Sequence, residues 1–212
     1  MIEATSAHPP PSPTVGRRMA GDEIEAKQQR SRASREALLD ALDALLHEQP
    51  YVDIGISDIV RRAGLTTGAL YARFDGKRGL ELALYERFAA RSVDTMQAWG
   101  ARPQWATASP EHIINSWTRG AVNFCRTHRP LLSLMMIDPV VRQRYDELME
   151  HPPRILTGLL QAATPNPVSE SFDRDVEWAS RAALAVLERF DLDDDDLVER
   201  IETMLFRLIG VD

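Results

Sequence analysis

From Ser31 onward apolar residues recur at helical spacing along nearly the whole chain, and strand-like alternation is confined to one short stretch. Ala37, Leu38, Ala41, Leu42 and Leu45 form one stripe. It predicts a first helix ending near Gln49-Pro50, because proline disfavours helix in the residue before it. Tyr51–Ile56 alternates briefly, but Gly55 and its place between helical segments make it a connection. A helix from about Leu80 to Trp99 follows, broken by Gly100 and Pro103. Ser109-Pro110-Glu111 supplies a capping serine, a proline at the first helical position and an early acid. That helix should run to about His128, ahead of Pro130. Asp138-Pro139 opens a further segment, interrupted or divided by Pro152-Pro153, and Pro165–Pro167 reads as a loop. Two strongly amphipathic helices close the pattern. Phe172, Val176, Ala179, Ala183, Leu187 and Phe190 recur at steps of three and four, and so do Leu197, Ile201, Met204, Leu205 and Leu208.

Composition narrows the class. The apolar runs are far too short to span a bilayer, and nothing near Met1 resembles a signal peptide. A lone cysteine, Cys125, excludes an internal disulfide framework and suits a reducing compartment, so a soluble cytoplasmic protein is expected. Cys125 itself reads as a buried small apolar residue. Residues 1–29 are proline-rich with little apolar periodicity and read as a disordered arm. Net charge is −7, but it is unevenly spread. Lys27 to Leu80 holds nine basic against seven acidic residues; Glu81 to Asp212 holds fourteen against twenty-one. A mildly basic head on an acidic body suits a protein that offers one end to phosphate.

The informative stretch runs from Ser57 to Phe74. Ile59, Val60 and Ala63 give a short helix its apolar face. Gly64 suits the left-handed position that ends a helix, Leu65 plugs the angle, and Thr66 is a good cap for a second short helix. Leu70 and Phe74 bury one side of that second helix. Thr67, Gly68, Ala69, Tyr71 and Arg73 are left on the others, a surface that fits a major groove. Gly68 and Ala69 permit close approach, and Thr67 and Tyr71 can reach phosphate or base edges. Arg73 can pair with phosphate or guanine, and Lys77 can add a phosphate contact. No nucleophile elbow, metal-ligand pair or phosphate-cradling glycine loop is present, so an enzyme is not expected. His112 and His128 do not have a metal-motif spacing, and Asp193–Asp196 reads as an acidic first turn, so neither a metal nor a cofactor is expected.

Ala63-Gly64-Leu65-Thr66-Thr67-Gly68-Ala69-Leu70-Tyr71 through Phe74, Lys77 and Leu80 resembles the signature of the TetR family of transcriptional regulators. With the preceding helix the match covers roughly Arg35 to Leu84. Two positions depart from it. Ile54-Gly55 stands where the family places Thr or Ser, leaving Ser57 as the nearby hydroxyl, and Ala72 stands where an aromatic is frequent.

The resemblance implies an all-α protein with a three-helix head over residues 30–80 and a helical effector-binding and dimerisation body over 81–212. It implies a repressor acting as a homodimer on palindromic double-stranded DNA. The stripes Phe172–Leu187 and Leu197–Leu208 are then the expected dimer interface, helped by the small residues Ala179, Ala182, Ala183 and Ala185. Met96, Trp99, Trp117, Phe124, Met135 and Met136 are the expected lining of a pocket for an apolar or aromatic effector. The helix from Leu80 to Trp99 would couple pocket to head. The alternative is a DNA binder regulated by a partner protein, with a solid body and an exposed apolar patch.

Overall fold

The computed structural model describes residues 14–164, 170–189 and 196–210, and among them every regular element is helical. The Pro165–Pro167 loop, Phe190, Asp193–Asp195 and residues 1–13 of the expected arm lie outside the described residues. Helix α1 spans Thr14–Leu46, so it begins inside the segment expected to be disordered. The prolines of that segment all precede Thr14, and Glu23 to Gln29 is rich in good helix formers. The head is completed by α2 (Ile56–Arg62) and α3 (Thr67–Tyr71). Its core joins Leu38, Leu39 and Leu42 to Ile59, Leu70 and Phe74, all buried.

The body consists of α4 (Gly76–Gly100), α5 (Pro110–Ile137), α6 (Pro139–Leu148), α7 (His151–Ala163), α8 (Phe172–Arg189) and α9 (Leu197–Ile209). The expected boundary between head and body falls within α4, which is continuous across it. Helix α4 packs on α1, α6 and α7, while α8 packs between α7 and α9. Ser109 caps α5 by accepting from the His112 N–H at 3.2 Å. Asp138 Oδ1 caps α6, accepting from Val140 N–H at 2.8 Å and Val141 N–H at 3.3 Å. Pro152 and Pro153 fall in the first turn of α7, where a missing N–H is harmless.

Helix α5 runs through Pro130 rather than stopping before it. An interior proline costs about 3 kcal/mol or more. Beyond it, Leu131, Leu132 and Met135 are buried, and their burial holds the last turns in place. The stripes of α8 and α9 differ more sharply from expectation. Phe172, Val176, Ala179, Ala183 and Leu187, with Leu197, Ile201 and Leu205, are all buried in the chain's own core. Within the single chain they leave almost no surface for a second copy to cover. Of the expected interface, Met204 is half-buried and Leu208 is exposed. No helix among the described residues is long and apolar enough to cross a membrane.

Candidate functional site

The helix-turn-helix is assembled by local chemistry. The Gly55 N–H donates to Asp58 Oδ2 at 2.9 Å, fixing the start of α2. At the turn Gly64 has φ 65°, the left-handed region, and a Cβ added there would meet nothing within 4 Å. Conformation rather than crowding therefore requires glycine. The Leu65 N–H closes the turn on the Val60 carbonyl at 2.9 Å. Thr66 Oγ1 then accepts from the Ala69 N–H at 3.2 Å and caps α3.

This orientation leaves Ser57, Thr66, Thr67, Gly68 and Tyr71 facing solvent, with Ala69 half-buried beside them. Tyr71 is 57% exposed, unusual for an aromatic side chain. A Cβ on Gly68 would meet only Thr66 Oγ1 at 3.9 Å, so this edge is open to close approach.

The two cations sit differently. Arg73 Nη1 donates to the Ala69 carbonyl at 2.8 Å, and its Nε donates to the Ser31 carbonyl at 3.4 Å, tying α3 to α1. Lys77 Nζ donates to the Tyr51 carbonyl at 2.5 Å and stands 3.7 Å from the centroid of the Tyr51 ring. Burial lowers its pKa, against the opposing pull of Glu81 and Asp53. Arg61 pairs with Asp58 at 2.6 Å and Arg62 with Glu48. By contrast Lys27 and Arg32, exposed on α1, have no partner among the described residues. Among the described residues, exposed Arg30 donates only its Nε, to the Ala26 carbonyl.

A buried carboxylate joins head to body, and no sequence signal marked it. Glu81 on α4 is 4% exposed. It accepts from the Tyr51 hydroxyl at 2.6 Å and the Tyr85 hydroxyl at 2.8 Å, and it pairs with Arg78 at 2.9 Å. Arg78 also pairs with Asp138, the cap of α6. Burial, then the hydrogen bond to Glu81, raises the pKa of both tyrosines, so they act as donors throughout the ordinary pH range.

Within the body a half-open cavity of about 310 Å³ lies among α4, α5 and α7. Met96, Trp99, Trp117 and Phe124 are among its lining residues. Met135 is instead fully buried in the core, and Met136 packs against that core away from the cavity. The lining also includes Arg102, Asn123, Thr127, His128, Met149 and Ile155, which the apolar pattern did not reveal. The Trp117 Nε1–H donates to the Pro152 carbonyl at 3.3 Å, bracing the wall against α7. The rings of Phe88, Phe124 and His128 cluster with centroids 4.9–5.7 Å apart. Burial pushes the His128 pKa down, Asp43 pulls it up and His47 adds to the depression. Burial also pushes the Cys125 thiol up to about 12. No group of three or more His, Cys, Asp or Glu suited to a metal ion occurs among the described residues.

A capped five-residue helix with one solvent-facing edge, set across a glycine turn from α2, is a helix-turn-helix, and it is joined to a helical body that holds a cavity. Residues 38–84 match the family model described as bacterial regulatory proteins, tetR family. The head thus resembles that of the tetR family over these residues, and the fold of the chain is similar to that of solved regulators of this type. A TetR transcriptional regulator from Rhodococcus sp. RHA1 superposes with a TM-score of 0.55 at 17% identity, over 86% of this chain and 98% of its own. A regulator from Aquifex aeolicus VF5, described as TerR/AcrR family, gives 0.53 at 18% identity over 84% and 96%. FadR from Bacillus subtilis, in complex with stearoyl-CoA, gives 0.51 at 15% identity over 82% and 97%. At such identities the likeness is one of fold. No curated protein matches the chain in sequence.

Proposed function

We propose that this protein is a ligand-responsive transcriptional repressor that binds palindromic DNA as a homodimer. The observation that carries the DNA reading is the solvent-facing edge Thr67, Gly68 and Tyr71 on a helix capped by Thr66. Ser57, Thr66 and Ala69 flank that edge. Arg73 and Lys77 act chiefly as braces that orient α3 and α4, because backbone carbonyls already engage them. Phosphate attraction then falls to Lys27, Arg30 and Arg32, on the part of α1 that Arg73 holds beside α3.

Two copies are needed to read a palindrome, with heads about one DNA turn apart, ~34 Å. The inward stripes of α8 and α9 leave another face for the second copy. Trp178, 62% exposed, lies one and two turns from Ala182 and Ala185 on the outer side of α8. The cavity favours a small-molecule effector over a partner protein, and α4, which lines it through Met96 and Trp99, runs back to Lys77 and Glu81. A ligand that shifts α4 changes the separation of the two heads, and linkage requires DNA to weaken ligand binding by the same factor. Repeated selection from a random duplex pool, followed by footprinting, should recover a two-fold-symmetric site. A pool that stays random contradicts the proposal.

A further inference from the structure

The charged and polar groups around the body cavity are unequally distributed. Among the described residues no carboxylate contributes to its lining, although acidic residues outnumber basic ones 32 to 25 in the chain. One full cation does, Arg102, and its guanidinium has no hydrogen-bond or ion-pair partner among the described residues. The other polar lining groups are uncharged or neutral: Thr95, Asn123, Thr127 and the half-buried imidazole of His128, whose pKa burial lowers.

The backbone that carries the exposed Arg102 side chain is held in place. Gly100, the last residue of α4, presses so closely on α7 that a Cβ there would lie 2.7 Å from Ile155 Cγ2. Two residues on, the Arg102 N–H donates to the Trp99 carbonyl at 3.3 Å. The same carbonyl accepts from Trp105 Nε1–H at 2.5 Å, and the Trp99 and Trp105 rings meet at 4.8 Å. Trp105 is buried, so the turn carrying Arg102 is anchored on both sides. The cavity therefore presents aromatic walls at one part of its lining and an unpaired guanidinium on a fixed turn at another.

We infer that the cavity takes an amphipathic organic anion, its ring-bearing apolar body against Trp99, Trp117 and Phe124 and its single acidic group on Arg102. This rests on the reading of the cavity as the effector site. Aromatic walls alone would also attract an organic cation. Arg102 opposes that choice, and no carboxylate among the described lining residues offsets it. A guanidinium can instead hold a carboxylate, sulfonate or phosphate through paired N–H donors. The volume of about 310 Å³ suits a ligand of two or three rings rather than a large conjugate.

Two fluorescent probes separate charge from apolarity: 8-anilinonaphthalene-1-sulfonate and the neutral N-phenyl-1-naphthylamine, which share a ring framework. Each is titrated into the full chain, reading tryptophan quenching and probe emission. The amine is the more apolar, so a merely greasy cavity ranks it first. The inference expects the sulfonate to bind about tenfold tighter or more, and this preference to collapse in Arg102→Gln. Gly120→Phe should abolish both signals, because Gly120 lines the cavity and a Cβ there meets nothing within 4 Å. Equal affinities, or a preference unchanged by Arg102→Gln, overturn the anion class while leaving the cavity a ligand site. Signals that survive Gly120→Phe, or no binding by either probe, remove the effector site itself and the inference with it.

Discussion

The Tyr51 hydroxyl donates to Glu81 Oε2 at 2.6 Å, linking the turn ahead of α2 to the buried side of α4. The carbonyl of the same Tyr51 accepts from Lys77, and the same Glu81 receives Tyr85 and Arg78. One residue of the head thus meets α4 at two points a helical turn apart, and Arg78 carries the connection on to Asp138 at the start of α6. The cluster ties the head to α4 and, through Asp138, to α6.

Glu81→Gln should therefore destabilise the protein by about 2 kcal/mol, since a neutral amide leaves its donors poorly matched in a buried site. Tyr51→Phe should cost about 1 kcal/mol. The double variant should fall short of the sum, because both changes remove one interaction. Urea unfolding of the four proteins measures this.

Salt dependence separates the bracing cations from the phosphate-facing ones. Replacing Lys27, Arg30 and Arg32 together with alanine should lower the slope of log affinity against log salt by roughly 2–3, near one for each phosphate no longer neutralised. Arg73→Ala should leave that slope nearly unchanged and instead lower the unfolding midpoint, because it frees the Ala69 and Ser31 carbonyls. Fluorescence anisotropy across a salt series distinguishes the two patterns.

Gly100→Ala should destabilise the protein even though alanine is the better helix former. The propensity gain is at most about 1 kcal/mol, whereas forcing a methyl into a filled space costs about 1–3 kcal/mol. Its collision is with Ile155 Cγ2 at 2.7 Å, close to the backbone of α7. Ile155→Leu moves the branch outward and should recover part of the stability, as thermal unfolding would reveal.

Acidification should weaken the body through His128. Burial holds its folded pKa below 6.5, so the unfolded chain takes the proton first as the pH falls. The stabilisation is present above about pH 6.5 and is lost as the pH drops through the folded value. Urea midpoints between pH 8 and pH 5 should fall less steeply in His128→Phe, which keeps an aromatic ring beside Phe88 and Phe124.

The head was legible because its instructions are local. Gly64 at positive φ, Thr66 as cap, and Leu70 with Phe74 as the buried side each act within a few residues of the turn. The helix starts at Ser109-Pro110 and Asp138-Pro139 were readable for the same reason. What escaped depends on distant partners. An apolar stripe such as Phe172 to Leu187 says which side of a helix is covered, but its own core and a second copy would leave the same pattern. The sequence displays the charge of Arg73 and Lys77 and conceals the carbonyls of Ala69 and Tyr51 that receive them. Met135 and Trp117 share an apolar character, yet one fills the core and the other walls the cavity. Arg102 sits in a break between helices, where periodicity carries no signal.

Base reading by α3 is tested most directly by the specificity ratio. Affinity for the selected duplex is divided by affinity for a scrambled duplex at fixed salt, for the wild type, Thr67→Ala and Tyr71→Ala. Both side chains are exposed, so neither variant should lose the fold. A single base contact is worth about 1–3 kcal/mol, so the ratio should drop roughly 5- to 150-fold in at least one variant. Ratios equal to that of the wild type in both would contradict the account.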